Sequence, residues 1–374
     1  MNSSSALLVL EDGRCFRGTP FGASDEVFGE LVFTTAMAGY QETLTDPSFH
    51  RQIVISTAPH VGNTGWNEQD NESDRIWAAG FVVRDPAPRP SNWRSTGTLE
   101  EALRNDGVVG ISGVDTRALT RHIRSAGAMR AGISTTETNP DALLARVLEQ
   151  PTMEGLHLSQ EVTTAEPYLV PAEGETRGTV VALDLGLKKM APTQIARRGF
   201  DVHVLPADAN FEDIQALSPD GLFYSNGPGD PATAEQAITI LQRALEAHIP
   251  FFGICFGNQL FGRALGFETY KLKFGHRGVN QPVKDLTTGK VEITVHNHGF
   301  AVDAPIGEDV ETAFGTATVS HVNLNDDVVE GLELRRDDSL VGFSVQYHPE
   351  GAAGPHDANY LFDRFADMIA AKDR

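Results

Sequence analysis

The strongest constraint on the fold is an alternation that begins at Thr179. Val180–Asp184 is a near-continuous apolar run, ended by Gly186 and followed by a helical stretch through Arg198 that Gly199 closes. Val202–Leu205 is the next run, Phe211–Leu217 a short helix, and Gly221–Tyr224 a third run. A loop, Ser225–Pro231, leads to a helix ending near Ala247, and Ile249–Ile254 is a fourth run. Short apolar runs separated by helices imply parallel β-α-β units in a doubly wound open sheet. In such sheets ligands bind beyond the carboxyl ends of strands. Gly227–Gly229 and Cys255 both fall at such ends, on consecutive strands.

Cys255 sits where an apolar strand passes into a helix, in Gly253-Ile254-Cys255-Phe256-Gly257-Asn258-Gln259. Small flanking residues permit a tight strand-to-helix turn, which exposes the sulfur near the positive end of the helix. That placement is expected to favour thiolate, the nucleophilic form. A lone cysteine is more often a small buried hydrophobe; the glycine-flanked junction is what argues otherwise.

The N-terminal half reads differently. Strands are expected at Ala6–Leu10, Arg14–Gly18, Leu31–Thr35 and Ile53–Ser56, and the apolar stretch Ile76–Val83 is stopped by Asp85-Pro86-Ala87-Pro88. Helices are expected at Leu99–Asn105, at Asp115–Ser125, and after the cap signal Asn139-Pro140-Asp141. This is one α+β domain over residues 1–150, with no dinucleotide fingerprint, P-loop or metal-spaced Cys/His set. Residues 151–178 read as a connection, since Gln160–Gly178 is polar, carries Pro167, Pro171 and Gly174, and lacks apolar periodicity. Residues 179–374 form the α/β domain.

Composition narrows the class. Thirty basic against 51 acidic side chains give a formal charge of −21, which argues against nucleic acid or an anionic membrane surface as partner. Two cysteines far apart, Cys15 and Cys255, argue against a disulfide framework and fit a cytoplasmic protein. No apolar run approaches a membrane span, and Met1–Ser5 lacks the basic flank and long apolar core of a leader.

Three further segments carry chemistry. Gly227-Pro228-Gly229 is either a plain βα turn or a rigid loop whose N–H groups stabilise an oxyanion. His348-Pro349-Glu350 follows an apolar strand, and in extended chain positions i and i+2 point the same way. A histidine base and its orienting carboxylate thus come in one segment. His296-Asn297-His298 spaces two imidazoles for a metal, with His321 available, but no cysteine or acidic cluster nearby completes a zinc set. No metal is therefore expected, and a loop presenting Asn297 and the Gly299–Phe300 backbone to a polar ligand fits better.

Together these pieces resemble a class I (triad) glutamine amidotransferase. The N-terminal motifs Met37-Ala38-Gly39-Tyr40-Gln41-Glu42 and Thr45-Asp46-Pro47-Ser48 narrow the resemblance to the carbamoyl phosphate synthetase small-subunit family. Asn226–Pro231, His296–Phe300 and Gly354-Pro355-His356-Asp357 do the same, so that it spans essentially the whole chain. The resemblance implies glutamine hydrolysis through Cys255 as nucleophile, His348 as base and acid, and Glu350 orienting His348. It implies an oxyanion hole from Gly229 and Phe256, and glutamine contacts at Ser48, Gly227, Gly229, Phe256, Gln259, Asn297, Gly299 and Phe300. It implies a large-subunit partner in a heterodimer. That subunit carries ATP and Mg, takes ammonia through a tunnel, and makes carbamoyl phosphate from bicarbonate for pyrimidine and arginine biosynthesis. No cofactor is expected in this chain.

One position departs from the family pattern. After the cysteine the usual Gly-His-Gln is Gly257-Asn258-Gln259, and asparagine neither carries charge nor shuttles a proton. Two other readings are a stand-alone Cys-His-Glu amidohydrolase and a non-catalytic regulatory subunit whose thiol is a redox sensor or merely packed.

Overall fold

A computed structural model describes residues 5–372, so only Ser5 of the Met1–Ser5 stretch falls among them. Internal contacts divide the chain into two units. The first runs to Glu154 and takes in Lys273–Gly278; the second comprises Gly155–Leu272 and the chain from Val279.

In the first unit seven strands close into a barrel. Their order is Ala6–Leu10, Cys15–Gly22, Val109–Ser112, Gly80–Val82, Gln52–Ser56, Glu26–Thr34 and Met129–Ser134, the last pairing with the first. Closure explains why Ala6–Leu10 is apolar throughout. Leu8 and Leu10 enter the barrel core with Leu31, Ile53, Ile111 and Ile133, while Leu7 and Val9 cluster with Leu143 of the helix Pro140–Leu148. The expected helix starts carry their caps. Thr98 and Glu101 form a reciprocal capping box at Leu99–Asn105, the Asp115 carboxylate accepts from the Ala118 N–H, and Asn139 accepts from the Asp141 N–H. Lys273–Gly278 joins this unit through backbone pairing: the Ala128 N–H donates to the Lys273 carbonyl (2.7 Å) and the Thr35 N–H to that of Arg277 (3.2 Å).

The second unit is built on an 11-stranded sheet. Its parallel part runs Phe200–Pro206, Gly178–Asp184, Gly221–Tyr224, Phe251–Ile254, Ser339–Val345, as the β-α-β alternation implies. Beyond Ser339–Val345 the sheet turns antiparallel through Val329–Arg336 and Gly315–Asn323 to Glu268–Asp285. Adjacent residues of the parallel strands feed opposite cores. Val181, Leu183, Leu222 and Phe251 pack with Ile240, Leu241, Leu260 and Phe261 on one side. Val180, Ala182, Phe223 and Phe252 pack with Ile195, Phe362 and Phe365 on the other. Burial on both faces is why these strands read as unbroken apolar runs.

Residues 151–178 are more than a connection. From Gly155 onward they belong to the second unit, with a short helix, Ser159–Val162, and an edge strand, Tyr168–Val170, antiparallel to Phe200–Pro206. Tyr168 and Leu169 are exposed and only Val170 packs against the core, so the strand is too short and too little buried to give an apolar pattern to read.

Glycines set the spacing beneath the cysteine turn. A Cβ on Gly257 would lie 2.5 Å from the Tyr224 carbonyl oxygen, and one on Gly253 would lie 2.7 Å from that of Gly257. Strand and helix therefore cross at backbone contact distance. Gly257→Ala should cost about 1–3 kcal/mol by overpacking, read as a lower urea midpoint with unchanged m-value; an unchanged midpoint would mean the backbone yields freely here.

Candidate active site

Parallel pairing assembles the site. Ile254 lies in register with Val345, and Tyr224 with Gly253, so three strands end together. The residues that follow them are Ser225–Pro231, Cys255, and His348 with Glu350.

Cys255 occupies the turn between Phe251–Ile254 and the nine-residue helix Phe256–Ala264, with φ 55° and ψ −100°. A positive φ strains a residue that bears a Cβ, and a non-glycine held so at a strand–helix turn marks a functional elbow. Its N–H donates to the Val345 carbonyl (2.8 Å), tying the turn to the histidine's strand. The sulfur is buried at the positive end of the helix, and the thiol donates to the Asn297 carbonyl at 3.6 Å. Gly257 donates to the Ser225 carbonyl, and Gln259 to that of Cys255. The Phe256 N–H is in the helix's first turn, where no intrahelical acceptor exists.

His348 is buried, and its Nδ1 lies 2.7 Å from Glu350 Oε1. A carboxylate partner makes Nδ1 the donor and turns Nε2 toward the chemistry. Among the described residues Nε2 makes no hydrogen bond, and the Cys255 thiol is close enough to act on the imidazole. Burial and the Lys188 ammonium push the imidazole down; Glu350 and Cys255 outweigh them and raise it to about 10. Burial also pushes the Glu350 carboxyl up, but the Lys188 ammonium and His348 hold it at about 2. Glu350 is thus ionised, and His348 is readily protonated beside the thiol.

Seven of the eight expected glutamine contacts lie in this unit. Gly227 and Gly229 are in the loop, and a Cβ on Gly227 would sit 2.1 Å from the Leu185 carbonyl oxygen, so only glycine fits. Phe256 and Gln259 are on the helix, and Asn297, Gly299 and Phe300 are on the strand Val291–Asp303. Gln259 Nε2 donates to the Phe300 carbonyl (3.0 Å) and to Gln346 Oε1 (3.2 Å), which commits both amide hydrogens and leaves its oxygen as the acceptor. Ser48 belongs to the N-terminal unit, buried in a one-turn 3-10 helix, its N–H donating to Asp46 Oδ1.

Asn258 is fully buried. Ser344 Oγ donates to its Oδ1 (2.8 Å) and its Nδ2 donates to Gln346 Oε1 (3.1 Å). These partners are neutral, and the position uses one donor and one acceptor, both of which asparagine supplies.

Two groups escaped the sequence reading. Lys188, in the turn after Gly178–Asp184, places Nζ 3.2 Å from Glu350 Oε1. The only signal was its position at a strand's carboxyl end, where the other site loops gather. Glu330 supplies the acidic neighbour not found for His296 and His298: its Oε1 lies 3.6 Å from His296 Nδ1 and 3.8 Å from His298 Nε2. His321 faces elsewhere, onto Ser320 Oγ and the Tyr347 ring.

The buried thiol, imidazole and carboxylate lie on a doubly wound sheet within residues 181–368, which match the family model for "Glutamine amidotransferase class-I". Residues 8–133 match "Carbamoyl-phosphate synthase small chain, CPSase domain". Three proteins named carbamoyl phosphate synthase small chain are similar along nearly their whole length. That of Streptomyces avermitilis is 62% identical over 97% of this chain and 96% of its own. The Mycobacterium tuberculosis protein is 57% identical over 99% and 100%, and the Bifidobacterium longum protein 56% over 98% and 95%. The chain belongs to the carbamoyl phosphate synthase small chain family.

Two outcomes follow from this geometry. His348, raised from 6.5 to about 10, holds a proton in the native state that the unfolded chain has released between those values, so its stabilisation is whole below pH 6.5 and lost toward pH 10. Glu350, lowered from 4.5 to about 2, contributes above pH 4.5 and loses its contribution as pH falls toward 2. Urea midpoints from pH 6.5 to 9.5 should therefore fall more steeply for the wild type than for His348→Asn; equal slopes would refute the assignment. Asn258→Leu leaves the Ser344 hydroxyl without its acceptor and should cost about 1–3 kcal/mol, measured by the same midpoints.

Proposed function

We propose that this chain is the glutamine-hydrolysing subunit of a carbamoyl phosphate synthetase. The observation that carries the reading is the buried Cys255–His348–Glu350 arrangement in a chain similar end to end to proteins named carbamoyl phosphate synthase small chain. In this reading the Cys255 thiolate attacks the side-chain amide carbon of L-glutamine. The N–H groups of Gly229 and Phe256 receive the oxyanion, an effect that in other enzymes contributes about 3 kcal/mol per donor. Imidazolium His348 protonates the departing ammonia, leaving a glutamyl thioester on Cys255. Neutral His348 then takes a proton from the water that hydrolyses the thioester, releasing glutamate and restoring the thiol. Glu350 holds the imidazole by its Nδ1 throughout.

Substrate recognition in this reading uses the Gly227 and Gly229 loop, Phe256, the Gln259 carbonyl oxygen as acceptor for the substrate ammonium, and Asn297, Gly299 and Phe300. The resemblance adds Ser48. The chain needs no cofactor for this chemistry. The ammonia goes to a large-subunit partner that uses ATP, Mg and bicarbonate, in a cytoplasmic heterodimer serving pyrimidine and arginine biosynthesis. Among the described residues no helix is long and apolar enough to cross a membrane.

The test is carbamoyl phosphate synthesis from glutamine and from ammonia, with and without the large subunit. Cys255→Ala should reduce the glutamine-dependent rate by about 10⁴-fold or more, the scale at which removing a nucleophile acts, and leave the ammonia-dependent rate of the complex within about two-fold. A variant that retains glutamine-dependent synthesis would overturn the reading.

A further inference from the structure

Lys188 is one of the few lysines a folded protein buries, and its position shows what it is for. Its side chain is 4% exposed and its ammonium is 3.2 Å from Glu350 Oε1, on a carboxylate with no exposed surface. The same oxygen accepts from His348 Nδ1 at 2.7 Å. We propose that Lys188 is a positioning residue of the glutaminase reaction: it acts through Glu350, completes the charge balance of the buried thiol–imidazole–carboxylate set, and tunes the basicity of His348. The inference rests on the glutaminase reading given above.

Charge counting carries the argument. In the attacking state the thiolate, imidazolium and carboxylate sum to −1, in a site where an unbalanced charge is costly. The Lys188 ammonium brings the sum to zero. It also divides the hydrogen-bonding capacity of Oε1, so that His348 does not receive the whole of the carboxylate's pull. The groups acting on Glu350 are Lys188, from the turn after Gly178–Asp184, and His348, on its own segment. Those acting on His348 are Lys188, Glu350, and Cys255 from the turn after Phe251–Ile254.

The turn is built to hold the lysine. Asp184 Oδ1 accepts from the N–H groups of Gly186 (2.9 Å) and Leu187 (2.7 Å), and Asn226 Nδ2 donates to the Gly186 carbonyl (2.8 Å). The Lys188 N–H in turn donates to Asn226 Oδ1 (3.4 Å). Asn226 adjoins Gly227, so the lysine's backbone and the Gly227–Gly229 loop are fixed by one side chain.

The test is the pH profile of glutamine kcat/KM in the complex with the large subunit. Lys188→Met should move both limbs of the bell to higher pH by about one unit, because the lost positive charge opposed the imidazolium and favoured the anions. The value of kcat should fall about ten-fold or more, with KM changed much less. Lys188→Arg should return the limbs toward their wild-type positions. In a Glu350→Gln background, where the carboxylate is neutral, Lys188→Met should add a smaller further shift, from the ammonium's direct effect on the imidazole alone, and this double variant also removes both buried charges should the single variant fold poorly. Unmoved limbs in folded Lys188→Met, or an equal further shift in the Glu350→Gln background, would overturn the proposal. Absence of glutaminase activity in the wild-type complex would instead overturn the parent reading.

Discussion

The candidate site of this chain depends on one pairing: Ser339–Val345 beside Phe251–Ile254, parallel and with Val345 opposite Ile254. A parallel neighbour must return by a crossover, so its carboxyl end arrives at the same edge of the sheet. Here the chain between the two strands forms the antiparallel flank and Val291–Asp303 before it returns. The pairing places Cys255 one residue past one strand and His348 three past the other. The Cys255 N–H bonded to the Val345 carbonyl extends the ladder into the strained turn itself. An antiparallel return would send His348 to the opposite edge, and a shift of one residue would turn its side chain to the other face.

Burial follows from that placement, and burial sets the electrostatics. A carboxylate and an imidazole inside the sheet's end loops lose their hydration, which by itself favours the neutral forms of both. Each is nevertheless shifted toward its charged form, because Glu350 lies beside the Lys188 ammonium and the imidazole, and His348 beside the Glu350 carboxylate and the Cys255 sulfur. The site is therefore a set of mutually dependent charges, each tolerable only because the others are present. Removing one member leaves the rest poorly solvated, so single substitutions here act on more than the group deleted.

The same logic separates what was legible in the sequence from what was not. The Cys255 elbow was readable because glycine is demanded on both sides of it by backbone contact, and the parallel strands because burial on two faces makes them uniformly apolar. His348 and Glu350 were readable as a pair because extended geometry fixes i and i+2. Lys188 was not, since a lysine in a loop is ordinarily solvated and only the folded neighbourhood buries it. The barrel was not either. Gly80–Val82 has three residues and Val109–Ser112 has four, too few to establish a period. Val291–Asp303 is a third case, for its pattern is inverted: Val291 and Ile293 are exposed while Glu292, Thr294 and His296 are buried. Periodicity presumes an apolar inside, and this strand turns its polar side chains inward.

That inversion has a structural consequence for the site. Thr294, His296 and His298 are linked by hydrogen bonds, and His298 Nδ1 donates to the Phe300 carbonyl, which also accepts from Gln259. From Gln259 the network continues through Gln346 and Asn258 to Ser344, on the segment that ends in His348. A polar network thus connects three segments: Val291–Asp303, the helix Phe256–Ala264, and the stretch from Ser339 to Glu350. Hydrogen bonds hold direction as well as distance, whereas apolar packing at these positions would fix only separation. The buried polar residues thus hold the segment that leads to His348 in direction as well as distance, where the sheet could have taken valine.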